Sequence, residues 1–463
     1  MPRFRFAPTI AVTGLLLWTS HAAASGFATA RFGGEYGYPL TNNPTAVYYN
    51  PAGLAQANGI HLFVDGNLAF RQAAYEHIPG ATDTGPTAAC KNPECASANN
   101  GEATLTNVLV SPMLGASWKF LPHTVAGAAF YVPFGGISIW DKNNVYKNDT
   151  RFAGPYDSPA RWYSINGEIK STYLSLALAQ EFPSIGLSIG VSGSAIQSVI
   201  DTIRARNADG TNDIEHEGRS YLDVSGWQLG LGAGAIWEAQ RDHVWLGASY
   251  QSRPNVSGGM HLKGTIATKL GSNPTQGPVS AYQDLPDIIR LGARFRPNTT
   301  TEYRIFGDIT RWSAFKAQCI ADGDNGSCGV NPDGTAVPDT QTAQNLPRNW
   351  KDSFGVRAGM SYWARPDAEL ILGAGYDSNA IPDQTLDPAL MDFDDISFAV
   401  GGRFHLLDPL YVAVTGTHFF YISRNTAGKN TLATYQTPSR SPDSGGNYSQ
   451  SINVLNVNVE AVF

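Results

Sequence analysis

Residues 226–239, GWQLGLGAGAIWEA, constrain the fold more than any other stretch of the chain. Trp227, Leu229, Leu231, Ala233, Ala235 and Trp237 share one face of an extended strand, while Gln228, Gly230, Gly232, Gly234 and Glu238 share the other, because successive strand side chains point to opposite sides. The two tryptophans stand ten residues apart on the apolar face. A tilted strand of that length spans the ~25 Å apolar band between the aromatic girdles of a membrane barrel.

The same period recurs along the chain. Leu174, Leu176 and Leu178 alternate with Ser175 and Ala177, and Leu187, Ile189 and Val191 with Ser188, Gly190 and Ser192. Ile289, Leu291, Ala293 and Phe295 alternate with Arg290, Gly292, Arg294 and Arg296, and Phe354, Val356, Ala358, Met360 and Tyr362 with Gly355, Arg357, Gly359 and Ser361. The last run sets Leu455, Val457, Val459, Ala461 and Phe463 against Asn456, Asn458 and Glu460. A soluble sandwich alternates as well, and loop lengths separate the two. The pattern predicts fourteen strands, at 60–74, 108–120, 124–139, 170–182, 184–204, 218–238, 243–253, 285–296, 301–312, 352–364, 367–378, 394–406, 409–423 and 450–463. Connections after odd strands are long, as in 75–107, 140–169, 254–284 and 313–351, whereas those after even strands are brief, as in LPH, RPNT, RP and LD. Outer-membrane barrels pair short turns at one rim with long loops at the other. The expected fold is all-β, a 14-stranded antiparallel transmembrane β-barrel.

The N-terminus supplies the address. Arg3 and Arg5 precede the apolar run APTIAVTGLLLW, and SHAAA after it offers Ala22 and Ala24 as the small residues of a cleavage site, the layout of a secretory signal peptide over residues 1–24. Removing Arg3 and Arg5 takes the formal charge from −7 to −9, which argues against nucleic acid as a partner. Charged residues make up 15% against the roughly 25% of ordinary soluble domains, and aromatics reach 11%. Beyond residue 24 nothing approaches the ~18 uninterrupted apolar residues of a membrane helix.

Several stretches carry a family resemblance. They are SGF at the start of the mature chain, YNPAGLA at 49–55, VPFGG at 132–136, LPDIIRLGARFRPNTTTEYRIFGDITRWSAF at 285–315, WKDSFGVRAGMSYW at 350–363 and LILGAGYDSNAIPDQT at 370–385. With them the chain resembles the FadL/TodX-type outer-membrane transporters of long-chain fatty acids and other hydrophobic compounds. The resemblance implies a short N-terminal plug, or hatch, over residues 25–58, a barrel over 59–463, and residence in the outer membrane of a Gram-negative bacterium. It implies a hydrophobic small-molecule ligand, outer-membrane lipid and lipopolysaccharide, and the barrel assembly machinery as partners, the last through the terminal Phe463. From Ser25 to Asn50 there are 26 residues, fewer than the full plug of the family.

Two local features bear on transport. Asn50, Pro51, Ala52 and Gly53 close the plug and turn the chain into the first strand; the resemblance implies a part in transport for this motif, beside a purely structural turn. In the third strand Pro133 cannot donate to a ladder, and Gly135 and Gly136, which follow Phe134, invite a bulge, so pairing is expected to fail there. The resemblance implies that the kink makes a lateral opening, and a kink that merely relieves barrel strain is the alternative.

Charges on the inner face are Arg290, Arg294, Arg304, Asp308, Arg357, Arg403 and Glu460. They form wall-to-wall salt bridges, or one or two of the arginines hold a ligand carboxylate by paired hydrogen bonds. In the long loops, Cys90 and Cys95 (CKNPEC) and Cys319 and Cys328 (CIADGDNGSC) are expected to pair locally, since each pair shares one external loop. No histidine beside either pair favours zinc, and DGDNG carries Gly326 where a calcium loop needs an oxygen ligand. No metal and no cofactor are expected. The GLSIG around Ser188 fits the nucleophile-elbow pattern but lies inside an alternating strand with no helix after it, so no enzyme is expected. The function read from these features is passive uptake of long-chain fatty acids or other hydrophobic small molecules. A general polar porin and a barrel-anchored surface adhesin are the competing readings.

Overall fold

The structure, a computed structural model, describes residues 31–83, 98–149, 154–256, 259–270 and 273–463. The signal-peptide expectation falls outside those residues. Fourteen strands close into an antiparallel barrel: β1 (Ile60–His77), β2 (Gly101–Leu121), β3 (Thr124–Ile137), β4 (Asn166–Phe182), β5 (Leu187–Arg206), β6 (Gly218–Gln240), β7 (Val244–Gln251), β8 (Ile288–Asn298), β9 (Thr301–Thr310), β10 (Ser353–Arg365), β11 (Ala368–Asp377), β12 (Asp395–Leu407), β13 (Leu410–Tyr421) and β14 (Gly446–Val462). Each pairs with its chain neighbours, and β14 closes the ring on β1 from His61 opposite Val462 to His77 opposite Gly446. The pairing of β14 with β1 removes the free edges of the first and last strands, the condition for a sheet to cross a bilayer. Among the described residues no helix is long and apolar enough to cross a membrane.

The period-two reading fixes which face is which. Trp227, Leu229 and Leu231 are more than half exposed, as are Leu174, Leu176, Val191 and Leu291, while their alternates Gln228, Ser175 and Arg290 are buried. An apolar belt of this extent on the outside is intelligible only against lipid.

Short turns join β2 to β3, β4 to β5, β6 to β7, β8 to β9, β10 to β11 and β12 to β13 at one rim. At the other rim the long connections contain structure that the period-two reading does not predict. A hairpin of Met260–Leu270 and Asn273–Gln283 pairs with the upper part of β6, from Ser225 opposite Lys263 to Arg219 opposite Lys269. A second hairpin, Ala317–Asp322 with Thr342–Pro347, adds to the first through Cys319 opposite Tyr282. The 23-residue β6 therefore serves the barrel with its lower part and the external sheet with its upper part.

Cys319 and Cys328 are disulfide-bonded, whereas Cys90 and Cys95 lie outside the described residues. Within DGDNG, Gly326 O accepts from the Tyr282 hydroxyl (2.8 Å) and Asn325 Oδ1 from Lys263 Nζ (2.8 Å), so the loop is tied to the hairpin below it. Peptide mapping without reduction is expected to recover Cys319 linked to Cys328 and, as proposed for the other loop, Cys90 linked to Cys95. Free thiols at all four positions would refute both pairings.

Candidate functional site

Residues 31–57 run inside the closed sheet. Gly33 N donates to Asp65 Oδ1 on β1 (3.0 Å), the Tyr38 hydroxyl reaches Glu302 Oε1 on β9 (3.4 Å), and Asn50 Nδ2 donates to Ala235 O on β6 (3.1 Å). A segment that touches strands on all sides of a closed barrel lies in its lumen. The chain forms a short helix, Ala46–Tyr49, which ends at Asn50 because the following Pro51 holds that residue extended, at φ −165°. Pro51 then opens a 3-10 turn to Gln56, at a position whose N–H would have no partner in any case. The fully buried Asn50 side chain accepts from Ala52 N (3.1 Å) and donates to Pro39 O (2.9 Å), fastening the motif to its own segment and to the wall.

Small residues on the wall make room for this segment. A Cβ at Gly190 would collide with the Pro51–Ala52 backbone, one at Gly234 with Asn50 Oδ1, and one at Gly247 would stand 3.1 Å from Leu40. Gly234 on the inner face of β6 thus marks a close approach, a role that alternation alone does not reveal.

The wall is broken beside β3. Its ladder with β2 runs from Leu121 opposite Thr124 to Met113 opposite Tyr131 and stops there, although β2 continues to Gly101 against β1. Toward β4 the register slips between Tyr131 and Phe134, where Val132 and Pro133 intervene, and resumes to Ile137. Phe130 is 39% exposed, but every residue from Tyr131 to Ser138 is buried, so the strand bends away from lipid. Side chains bridge the break in place of ladder bonds. Ser111 Oγ donates to Val132 O (3.2 Å), Asn107 Nδ2 to Ile139 O (3.3 Å) and Arg71 Nη1 to Ile137 O (3.1 Å).

A cavity lies between this break and the N-terminal segment, with about 1170 Å³ of empty space counting the part open to solvent. One side is apolar: Ala69, Leu109 and Ile452 line it, and Ile137 of the bent strand packs against them. Trp312 and Trp350 border it as well, their rings edge to face at 4.9 Å. Charged groups line the cavity as well: Arg31, Arg357 and four aspartates, Asp308, Asp377, Asp392 and Asp395.

The inward arginines all have protein partners. Arg290 donates to Gln251 Oε1 (3.2 Å) and stacks on Tyr48 at 4.4 Å; Arg294 stacks on Trp245 at 4.0 Å. Arg304 faces Glu302 (3.7 Å) and the Tyr38 ring, and Arg403 holds Glu460 (2.6 Å). Arg357 bridges Asp308 (2.9 Å) and Asp377 (2.6 Å), and it is the one of the five that borders the large cavity. Sequence reasoning missed Arg31, which shares Asp377 at 3.1 Å, and missed Asp377, Asp392 and Asp395. The acidic runs GYDSN and MDFDD at the ends of β11 and β12 were the available signal.

The family profile of the outer membrane protein transport proteins (OMPP1/FadL/TodX) matches residues 17–463. The chain belongs to the FadL/TodX family. A FadL homologue of Pseudomonas aeruginosa superposes with a TM-score of 0.70 at 16% identity, covering 96% of this chain and 98% of its own. The Pseudomonas putida toluene transporter TodX gives 0.64 at 14%, covering 96% and 100%. The protein NMB0088 of Neisseria meningitidis serogroup B is 21% identical over 437 residues, 88% of this chain and 89% of its own. As a FadL/TodX member the chain is an outer-membrane transport channel of the hydrophobic-compound type and not an enzyme. Ser188 of GLSIG sits in the ladder of β5 opposite Ile236, without the strained turn a nucleophile needs.

Proposed function

We propose that this FadL/TodX protein admits hydrophobic small molecules, long-chain fatty acids or hydrocarbons, by diffusion and releases them sideways through the break between β2 and β3. The observation that carries this reading is the apolar inner stripe of Ala69, Leu109 and Ile452, which joins the cavity to Ile137 at the end of the broken ladder. Unpaired backbone at membrane depth is tolerated only where it lines a cavity, and a gap floored by apolar side chains offers a hydrophobic solute a path that avoids water. In this reading residues 31–57 act as the plug and the Asn50–Gly53 turn as its anchor. The packed lumen argues against an open polar porin. The name of the TodX structure adds toluene as one solute that a protein of this fold carries.

The test is initial uptake of labelled fatty acid, alkane and monoaromatic hydrocarbon by a deletion strain with and without the gene restored. Restoration is expected to speed uptake of at least one of them severalfold, without sensitivity to uncouplers and without a gain in sugar permeability. A deletion strain that takes up every such compound at the normal rate would dismiss the proposal.

A further inference from the structure

The cavity contains an acidic pole that a fatty-acid site would not be expected to have. Asp377 and Asp395 stand directly opposite each other across β11 and β12, a like-charge pairing that costs stability in a sheet. Asp308 and Asp392 join them on the same wall, so four carboxylates face two guanidiniums. Both guanidiniums are engaged: Arg357 with Asp308 and Asp377, Arg31 with Asp377 and, at 4.5 Å, the face of Phe419. Asp392 Oδ2 accepts from Ala380 N (2.6 Å). Asp395 is different. It is 6% exposed, it lines the cavity, and among the described residues no donor reaches its Oδ1.

A buried carboxylate oxygen without a donor is costly unless something supplies one. We infer that the acidic wall at Asp395 receives the polar end of the transported molecule, and that this end is a hydrogen-bond donor, an ammonium or a hydroxyl on an apolar body, rather than a carboxylate. A carboxylate drawn to Arg357 Nε, which also lacks an acceptor, would meet the two carboxylates already bound to that guanidinium. A donor head reaches Asp395 while the apolar body lies on Ala69, Leu109 and Ile452, which line the same cavity. The inference rests on the uptake reading above for a hydrophobic small molecule and puts an apolar amine or alcohol in place of its fatty acid or hydrocarbon.

Four ligands with one apolar body separate the possibilities: 4-phenylbutylamine, 4-phenylbutanol, 4-phenylbutyrate and butylbenzene. They are titrated calorimetrically into the full-length protein in zwitterionic nanodiscs near neutral pH, with empty nanodiscs as the blank. The amine is expected to bind tightest and the carboxylate about tenfold or more weaker, a difference of about 1.4 kcal/mol or more. Asp395→Asn is isosteric and relieves the Asp377 repulsion, so it is expected to assemble and to shrink the amine-to-carboxylate ratio about threefold or more. The inference is overturned if the carboxylate binds as tightly as the amine, or if Asp395→Asn leaves the ratio unchanged. If butylbenzene binds while the order fails, the head-group inference falls and the uptake reading stands; if none of the four binds, both fall. Should the variant not assemble, the wild-type order decides alone.

Discussion

Cells whose only copy carries Pro133→Val, Gly135→Val and Gly136→Val are expected to lose hydrophobic uptake by about tenfold or more, toward the rate of a strain without the protein. In the native strand Pro133 offers no N–H, and the slip between Tyr131 and Phe134 turns the next residues inward and off β2. Valine supplies the missing donor and favours extended backbone. Continuing the β2–β3 register beyond Met113 and Tyr131 would bring Ser111, Leu109 and Asn107 opposite positions 133, 135 and 137. Each ladder bond gained contributes about 0.5–1.5 kcal/mol, so a few of them outweigh the side-chain bridges from Ser111 and Asn107 that now span the break. Heat-modifiable migration on gels would establish that the variant forms a barrel. An assembled variant with wild-type uptake would sink the lateral route.

The barrel was legible because lipid and lumen impose opposite chemistry on alternate residues, and β6 from Trp227 to Ala235 follows that alternation, with the buried Ile236 the departure from it. Loop asymmetry added the direction. The external hairpins were missed for another reason: Met260, Leu262, Ile266 and Leu270 do alternate with His261, Lys263, Thr265 and Lys269, but the loop-length reading takes 254–284 as one long connection. Strand ends shifted likewise: β2 begins at Gly101 rather than 108 because its upper half, detached from β3, still pairs with β1.

The site was less legible than the fold. Alternation placed Arg357 on the inner face, but its partners Asp308 and Asp377 are separated from it by 49 and 20 residues, and Arg31 meets Asp377 across 346. No local pattern encodes such meetings. The bend at Pro133 could be expected from residue chemistry alone, since it rests on what one residue cannot donate. What the bend opens onto required Leu109 and Ile452 to be placed beside it, and on the sequence both read as ordinary strand residues.

Gly234→Val is expected to unseat the N-terminal segment and turn the protein into a leaky channel. A Cβ at Gly234 would overlap Asn50 Oδ1 and approach Ala248 O at 2.9 Å, and backbone cannot move aside without disturbing β7. Asn50 would then lose its bonds to Ala52 N, Pro39 O and Ala235 O. At about 1 kcal/mol for each bond, with more for polar atoms left buried and unpaired, the loss reaches about 3–6 kcal/mol. Since 1.4 kcal/mol is tenfold in an equilibrium, the seated population would fall by about a hundredfold or more relative to the unseated one. The barrel itself has no reason to fail, because valine suits a strand better than glycine and the β6 ladders to β5 and β7 use only backbone groups. Ala233→Val, one residue away on the lipid face, is the matched control and should behave as wild type. Single-channel conductance in planar bilayers reads the outcome directly: large, sustained polar currents for Gly234→Val against small or absent ones for wild type and Ala233→Val. Equal conductance in all three, with each barrel assembled, would mean that the Asn50 turn does not keep the lumen shut.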